Sequence, residues 1–263
     1  MNDNYAIFAE PVDGCGLSCV LCWNNIRRGS MENMSLDIVK EIVKKHGHVH
    51  IHWYNWGEPL LHRKFVELSE LVKPTAVSFI SSSFSLNLSD EYIKALNNWK
   101  KIIVGMSGMT QDVYEIYNKG GKLELVFSNI EKFLCFNQRP LMVRWQSHPF
   151  NEHQKEAAKQ YCKEHGLAFE IAKLNCDVEH LQEGFEHPLL MTPKFNTKLP
   201  NCVITRWFPI GADGSYLLCC ATRNIKTGYT IFDNISIEEL WKVRMNLELC
   251  KLCKEKKLFQ MYG

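Results

Sequence analysis

Residues Cys15-Gly16-Leu17-Ser18-Cys19-Val20-Leu21-Cys22 set three thiols within eight positions, at C-x3-C-x2-C spacing. Thiolates on so short a loop can ligate three corners of an iron–sulfur cubane, leaving the fourth iron without a protein ligand. An open iron of that kind suits chelation of a small molecule and inner-sphere electron transfer. A zinc ion is the rival occupant, and it would need a nearby Cys or His to close its tetrahedron. His46, His48, His50 and His52 could supply one. However, His48, His50 and His52 alternate along a predicted strand, about 6–7 Å apart on one face, too far apart to share one ion. Among them His52 lies nearest the end where chemistry is expected, and with Tyr54 and Trp56 it is a candidate pocket residue.

A second group, Cys202, Cys219, Cys250 and Cys253, offers four further thiolates in the last quarter of the chain. Iron–sulfur and structural zinc both suit such a set. Cys220, next to Cys219, reads as a side chain packed on the opposite hairpin face, which strand alternation favours. Cys135, Cys162 and Cys176 stand apart in apolar or helical settings and read as small core residues.

The remaining composition is ordinary. The chain has 263 residues, 46% hydrophobic and 23% charged, which suits one large domain with a small appendage. A net charge of +2 gives no reason to expect nucleic acid or an anionic membrane as partner. No apolar run approaches the roughly 20 residues that span a bilayer. The first residues lack the basic-then-apolar layout of a secretory signal. Eleven cysteines, an odd number without such a signal, argue for metal ligands in a reducing cytoplasm over a disulfide framework.

The elements that must position these residues alternate regularly. Apolar runs at 5–12, 48–55, 76–83, 101–108, 141–146 and 168–174 read as buried strands. Amphipathic stretches separate them: 35–46 with Ser35 as cap, 64–73, 89–100, 110–118, 124–135 and 151–166. In the last, Asn151 and Gln154 stand at capping-box spacing and Gly166 ends the helix. Six such repeats predict parallel strands with right-handed crossovers. The fold class is therefore α/β, a partial (β/α)6 TIM-like barrel over residues 1–182, whose chemistry belongs at the C-terminal strand ends. The first cysteine loop follows the first strand, where that rule puts it. Residues 183–263 read as a small α+β domain. It has an aperiodic connector, a hairpin turning at Asp213–Gly214, a helix at 236–247 with Ser236 and Glu239 as capping box, and a metal staple.

The cysteine loop after the first strand of a β/α repeat resembles the signature of the radical S-adenosylmethionine (SAM) superfamily. Trp56-Gly57-Glu58-Pro59, one repeat later, is similar to that family's Gly-Gly-Glu-Pro segment, with Trp56 in the first glycine position. The resemblance implies a SAM-binding 4Fe–4S cluster on Cys15, Cys19 and Cys22. It also implies that Gly57, Glu58 and Pro59 hold the amino group of the cofactor's methionine. Ser82 and Ser83, ending the third strand, and Ser107, ending the fourth, correspond to family positions that contact ribose or carboxylate, although the usual Asp is absent. Arg144 is either a partner for the methionine carboxylate or a surface arginine on an edge strand.

Cys202-x11-Gly214-x4-Cys219 resembles the opening of the SPASM and Twitch auxiliary-cluster modules. With only Cys250 and Cys253 following, the shorter Twitch form and a second 4Fe–4S cluster are implied, with zinc as the alternative. The expected activity is hydrogen abstraction from a small, carbohydrate-like molecule, dehydrogenation ranking ahead of epimerisation or peptide modification. In radical epimerases a cysteine thiol donates a hydrogen atom, the role open to Cys220. The implied redox partner is an electron donor such as flavodoxin or ferredoxin. A zinc-binding interaction protein is the reading from another class.

Overall fold

A computed structural model describes residues 5–20, 22, 30–136, 139–173, 206–220 and 222–248. Alternation of apolar and polar side chains produces the strands: along β5 (Val77–Ser82) every second residue is buried. β1 (Ala6–Ala9), β4 (His50–His52), β5, β6 (Lys101–Met106), β7 (Leu141–Ser147) and β8 (Ala168–Lys173) lie side by side in that order. Every neighbouring pair among them is parallel. A short antiparallel ribbon, β2 (Val12–Asp13) with β3 (Glu32–Asn33), leaves the end of β1.

Helices cross between the strands: α1 (Leu36–His46), α2 (Phe65–Val72), α3 (Asp90–Ala95), α4 (Gln111–Tyr117), α5 (Leu123–Phe136) and α6 (Lys155–Glu164). Ser35 and Ser89 cap α1 and α3 by accepting from Ile38 N and Tyr92 N. One strand face, with Ile7, Ile51, Trp53, Ile80, Ile102, Val104, Val143 and Trp145, forms the core together with Ile38, Phe65, Ile93, Val126, Ile130 and Ala158 of the helices. The expected six-unit α/β partial barrel is thus present.

The opposite face carries a row set by register: Phe8, His52, Phe79 and Lys101 are successive partners across β1, β4, β5 and β6. The rings of Phe8 and His52 stack at 4.3 Å and those of His52 and Phe79 at 4.6 Å. This row forms an aromatic floor at mid-strand. Burial, with the charges of His50, Arg144 and Lys101, lowers the His52 pKa to about 4, so its imidazole is neutral at physiological pH.

The C-terminal strands continue the same sheet. β9 (Trp207–Ile210) runs parallel to β1, and Glu10 N donates to Ile210 O at 2.9 Å. The expected hairpin joins β9 to β10 (Ser215–Cys219), with Gly214 at φ +82° in its turn. β11 (Thr222–Thr230), unread in the sequence, pairs antiparallel with β10. α7 (Ile237–Asn246) has the predicted capping box. Its Arg244 is buried, donates to Leu218 O and to Trp207 O, and lies over the Phe208 ring.

Two expectations need correction. Asn151 and Gln154 form no capping box: a 3-10 turn at Glu152–Gln154 leads into α6 without a side-chain cap. Instead the Asn151 amide donates to Ser107 O and Gln146 O, while Gln154 accepts from Met109 N and donates to Thr110 Oγ1. Both side chains tie the ends of β6 and β7 together. Cys162 is buried as expected, but Cys135 is exposed on α5. Cys176, Cys202, Cys250 and Cys253 lie outside the described residues.

Candidate active site

The cysteine loop leaves the C-terminal end of β1 and is held on two sides. Along one, Ser18 N donates to Lys119 O at 3.0 Å and Val20 N to Tyr117 O at 2.9 Å, just past the end of α4. Between them the Asn118 amide nitrogen lies 3.3 Å from Cys19 Sγ. Along the other side, Glu58 N donates to Gly14 O at 2.8 Å. Cys15, Cys19 and Cys22 are each half-buried. Burial pushes the Cys15 thiol up to about 12, with the charges of Glu58 and Cys22 adding to it. Burial raises Cys19 as well, and Cys22 and Cys15 add to that. Iron binds the thiolate, so loading these thiols is coupled to loss of their protons.

The Trp56–Pro59 turn is built around a buried carboxylate. Glu10, 3% exposed, accepts from Trp56 N at 2.9 Å and from Gly57 N at 2.8 Å. Gly57 fits because a Cβ there would stand 1.9 Å from Val12 O. The close approach that its missing side chain permits is therefore to the chain's own backbone on β2, just before the cysteine loop. Glu58, also 3% exposed, turns inward. Its Oε2 accepts from both Ser83 N and Ser83 Oγ at 2.9 Å, and its Oε1 accepts from Leu60 N at 3.2 Å. Burial raises its pKa, against hydrogen bonds from Ser83, Ser82 and Leu60 that favour the charged form.

Ser82 and Ser83 thus join Glu58 in one cluster; the Ser82 hydroxyl also accepts from Phe84 N at 3.0 Å. Ser107 lies fully buried, with its hydroxyl against Tyr114 O and Asn118 Oδ1, so it meets the cysteine loop through Asn118. Arg144 sits apart from these groups. Its Nε and Nη2 both reach Glu170 Oε2, at 3.2 and 3.1 Å, bridging β7 and β8. The Tyr54 hydroxyl lies 3.1 Å from His52 Nδ1, within electrostatic reach of Arg144, Glu170 and Cys220. Burial drives the Cys220 thiol well above its ordinary value, Cys219 and Glu10 adding and Arg244 opposing. Above the aromatic floor, the mouth of the barrel therefore gathers Tyr54, Arg144, Glu170 and Cys220.

Residues 9–139 match the Radical SAM superfamily. The chain belongs to the radical SAM superfamily. Among curated proteins, this radical SAM chain is 26% identical over 164 residues to the probable GTP 3′,8-cyclases of two Methanococcus maripaludis strains, C5 and C7. The matches cover 60% of this chain and 54% of each relative, so it spans about half the length of the curated relatives it matches.

Its fold is similar to native anSMEcpe with bound AdoMet, at a TM-score of 0.65 and 16% identity, covering 96% of this chain and 87% of that one. Streptococcus suis SuiB bound to S-adenosylmethionine gives a TM-score of 0.66 and 13% identity, covering 97% and 71%. BtrN in complex with AdoMet and 2-DOIA gives 0.53 and 15%, covering 95% and 85%. As a radical SAM enzyme, the chain implies a 4Fe–4S cluster and SAM.

The residues present fit that pair. Among the described residues, no three Cys, His, Asp or Glu side chains converge as a single metal ion would need. A cubane, by contrast, sets each thiolate on a different iron and so spreads them wider. The histidines weighed for zinc are engaged elsewhere: His46 lies between Tyr5 and Tyr216, and His52 between Phe8 and Phe79. Glu10 and Asn118 escaped the sequence reading. Glu10 carried a weak signal, a charge closing an apolar strand; Asn118 carried only its place before Gly120-Gly121.

Proposed function

We propose that this radical SAM enzyme abstracts a hydrogen atom from a small, carbohydrate-like substrate and dehydrogenates it. Cys15, Cys19 and Cys22 would hold the SAM-binding cluster. When bound, cluster and cofactor supply a 5′-deoxyadenosyl radical able to take hydrogen from an unactivated C–H bond. The Gly57–Pro59 turn orients the methionine end, its position fixed by Glu10, while Ser82 and Ser83 hold the Glu58 charge beside Cys15. Ser107 acts through Asn118.

Phe8, His52 and Phe79 close the floor against water, and Tyr54, Arg144 and Glu170 offer polar contacts to a hydroxylated substrate. Cys202, Cys219, Cys250 and Cys253 would hold a second 4Fe–4S cluster, the electron acceptor that a two-electron oxidation needs; structural zinc on the same thiols is the competing occupant. A flavodoxin or ferredoxin would deliver the electron. The observation that carries the reading is the interlock of the cysteine loop with the Gly57–Pro59 turn at the barrel mouth.

The curated relatives favour a second reading, cyclisation of a purine nucleotide. Among the described residues, Arg144, the strand cation on the mouth side of the aromatic floor, is paired with Glu170.

The test is anaerobic reconstitution with iron and sulfide, then reduction in the presence of SAM. Brown protein that releases 5′-deoxyadenosine, and loses both properties in Cys19→Ala, is expected. Colourless protein containing only zinc refutes the reading. Deuterated aminocyclitols and GTP, offered side by side, separate the two substrate classes by label transfer into 5′-deoxyadenosine. Cys220→Ala tests epimerisation: loss of solvent-hydrogen incorporation into product would favour that outcome over dehydrogenation.

A further inference from the structure

We infer that Asn118 is a positioning residue for the cluster, donating its side-chain N–H to the Cys19 sulfur and thereby raising the cluster's reduction potential. This rests on the reading that Cys15, Cys19 and Cys22 hold the 4Fe–4S group.

Local structure fixes Asn118 in place. It is the C-cap of α4, at φ −85° and ψ 63°, with its N–H donating to Tyr114 O. Its carbonyl accepts from Gly121 N at 2.9 Å, and Gly120, at φ +80°, turns the chain away. The carbonyls of its two neighbours, Tyr117 and Lys119, accept from Val20 N and Ser18 N. The cysteine loop therefore runs antiparallel to residues 117–119, with Cys19 opposite Asn118.

The Ser107 hydroxyl lies between Tyr114 O and Asn118 Oδ1, with one proton for the two carbonyls. Asn118 Nδ2 faces Cys19 Sγ at 3.3 Å. A sulfur bonded to iron carries no proton and can only accept, so this is the orientation the ligated loop requires. Asn118 is 6% exposed and Ser107 fully buried, so water does not compete for the bond.

The electrical consequence follows from charge. Reduction adds an electron to the cluster and its thiolates. An N–H dipole aimed at a ligand sulfur stabilises that extra charge, more so in a poorly solvated setting, and shifts the potential upward. Second-shell partners of metal ligands commonly work in this way.

The test compares reconstituted wild type with Asn118→Leu, which keeps the branched shape and removes the donor, and with Ser107→Ala. Iron and sulfide per chain are measured first. The potential is then titrated by following the EPR signal of the reduced cluster. The expected result is wild-type iron content with a midpoint shifted to more negative potential in Asn118→Leu, and a smaller shift the same way in Ser107→Ala.

A second measurement needs no variant. In wild-type protein labelled with nitrogen-15 asparagine, the reduced cluster should show hyperfine coupling to an asparagine amide nitrogen. An unchanged potential in cluster-loaded Asn118→Leu, or no coupling in labelled wild type, overturns the inference while leaving the proposed function intact. A wild-type chain that assembles no cluster overturns the underlying reading instead.

Discussion

A methyl group on Gly57 would lie 1.9 Å from the Val12 carbonyl oxygen and 2.8 Å from Glu10 Oε1. Neither atom can retreat, since one is backbone and the other is fixed by two amide donors. Gly57→Ala is therefore expected to destabilise the chain by about 1–3 kcal/mol, the usual cost of overpacking. It should also lower cluster content, because the atoms it displaces lie on the segment that leads into the cysteine loop. Denaturant midpoints and iron analysis check both; wild-type values for each would show that the turn and loop are not interlocked.

The types of Cys15, Cys19 and Cys22 were legible at this scale because their chemistry is encoded in local spacing. Glu10 and Asn118 were not, because their partners stand 46, 47 and 99 residues away. Glu58 was found, yet its inward hydrogen bonds to Ser83 could not have been foreseen from a strand-ending turn.

Between elements, His46 joins three pieces of the fold. Its Nδ1 lies 3.1 Å from the Tyr5 hydroxyl, before β1, and its Nε2 lies 2.9 Å from the Tyr216 hydroxyl on β10. Burial, with the charges of His48 and Lys45, lowers its pKa from 6.5 to about 4. Because the folded value lies below the unfolded one, the unfolded chain binds more protons between them. The stability linked to His46 is therefore complete above pH 6.5 and is lost as pH falls toward 4. At about 1.4 kcal/mol per unit the loss approaches roughly 3 kcal/mol. His46→Gln should flatten the difference in denaturant midpoint between neutral and mildly acidic pH. An unaltered pH slope in that variant would contradict the assignment.

Arg244 makes a similar bridge from α7 to β9 and β10. Arg244→Met leaves the Leu218 and Trp207 carbonyls without that donor. The expected cost is about 2–4 kcal/mol, given roughly 1–3 for each buried group left unsatisfied. Thermal unfolding measures it.

Strand and helix alternation was readable because periods of 2 and 3.6 differ sharply, and Ser35, Ser89 and Ser236 mark true helix starts. β11 was missed because Thr222–Thr230 is polar and sits at the sheet edge. Asn151 and Gln154 misled because a capping spacing says nothing of tertiary partners.

Over the whole molecule, β1 is paired on both sides, by β4 and by β9. A fragment spanning residues 1–205 would expose one edge of β1 and lose Phe208 and Ile210 from the core. Open strand edges beside apolar surface promote association. The fragment is expected to aggregate or to bind little iron. A soluble, monomeric fragment with full iron would instead establish the N-terminal part as an independent folding unit. The sequence divides the chain at about residue 182, where periodicity changes. Hydrogen bonding across β1 and β9 was invisible to it because parallel pairing between distant segments leaves no mark on local pattern.

The run of residues 18–20 against 117–119 bears on how metal is kept. Its peptide hydrogen bonds, and the Glu58–Gly14 bond on the other rim, are made by the polypeptide itself. Each restrains backbone whose ordering would otherwise draw on the free energy of ligation, so each such bond lost by mutation should weaken retention of the inorganic core.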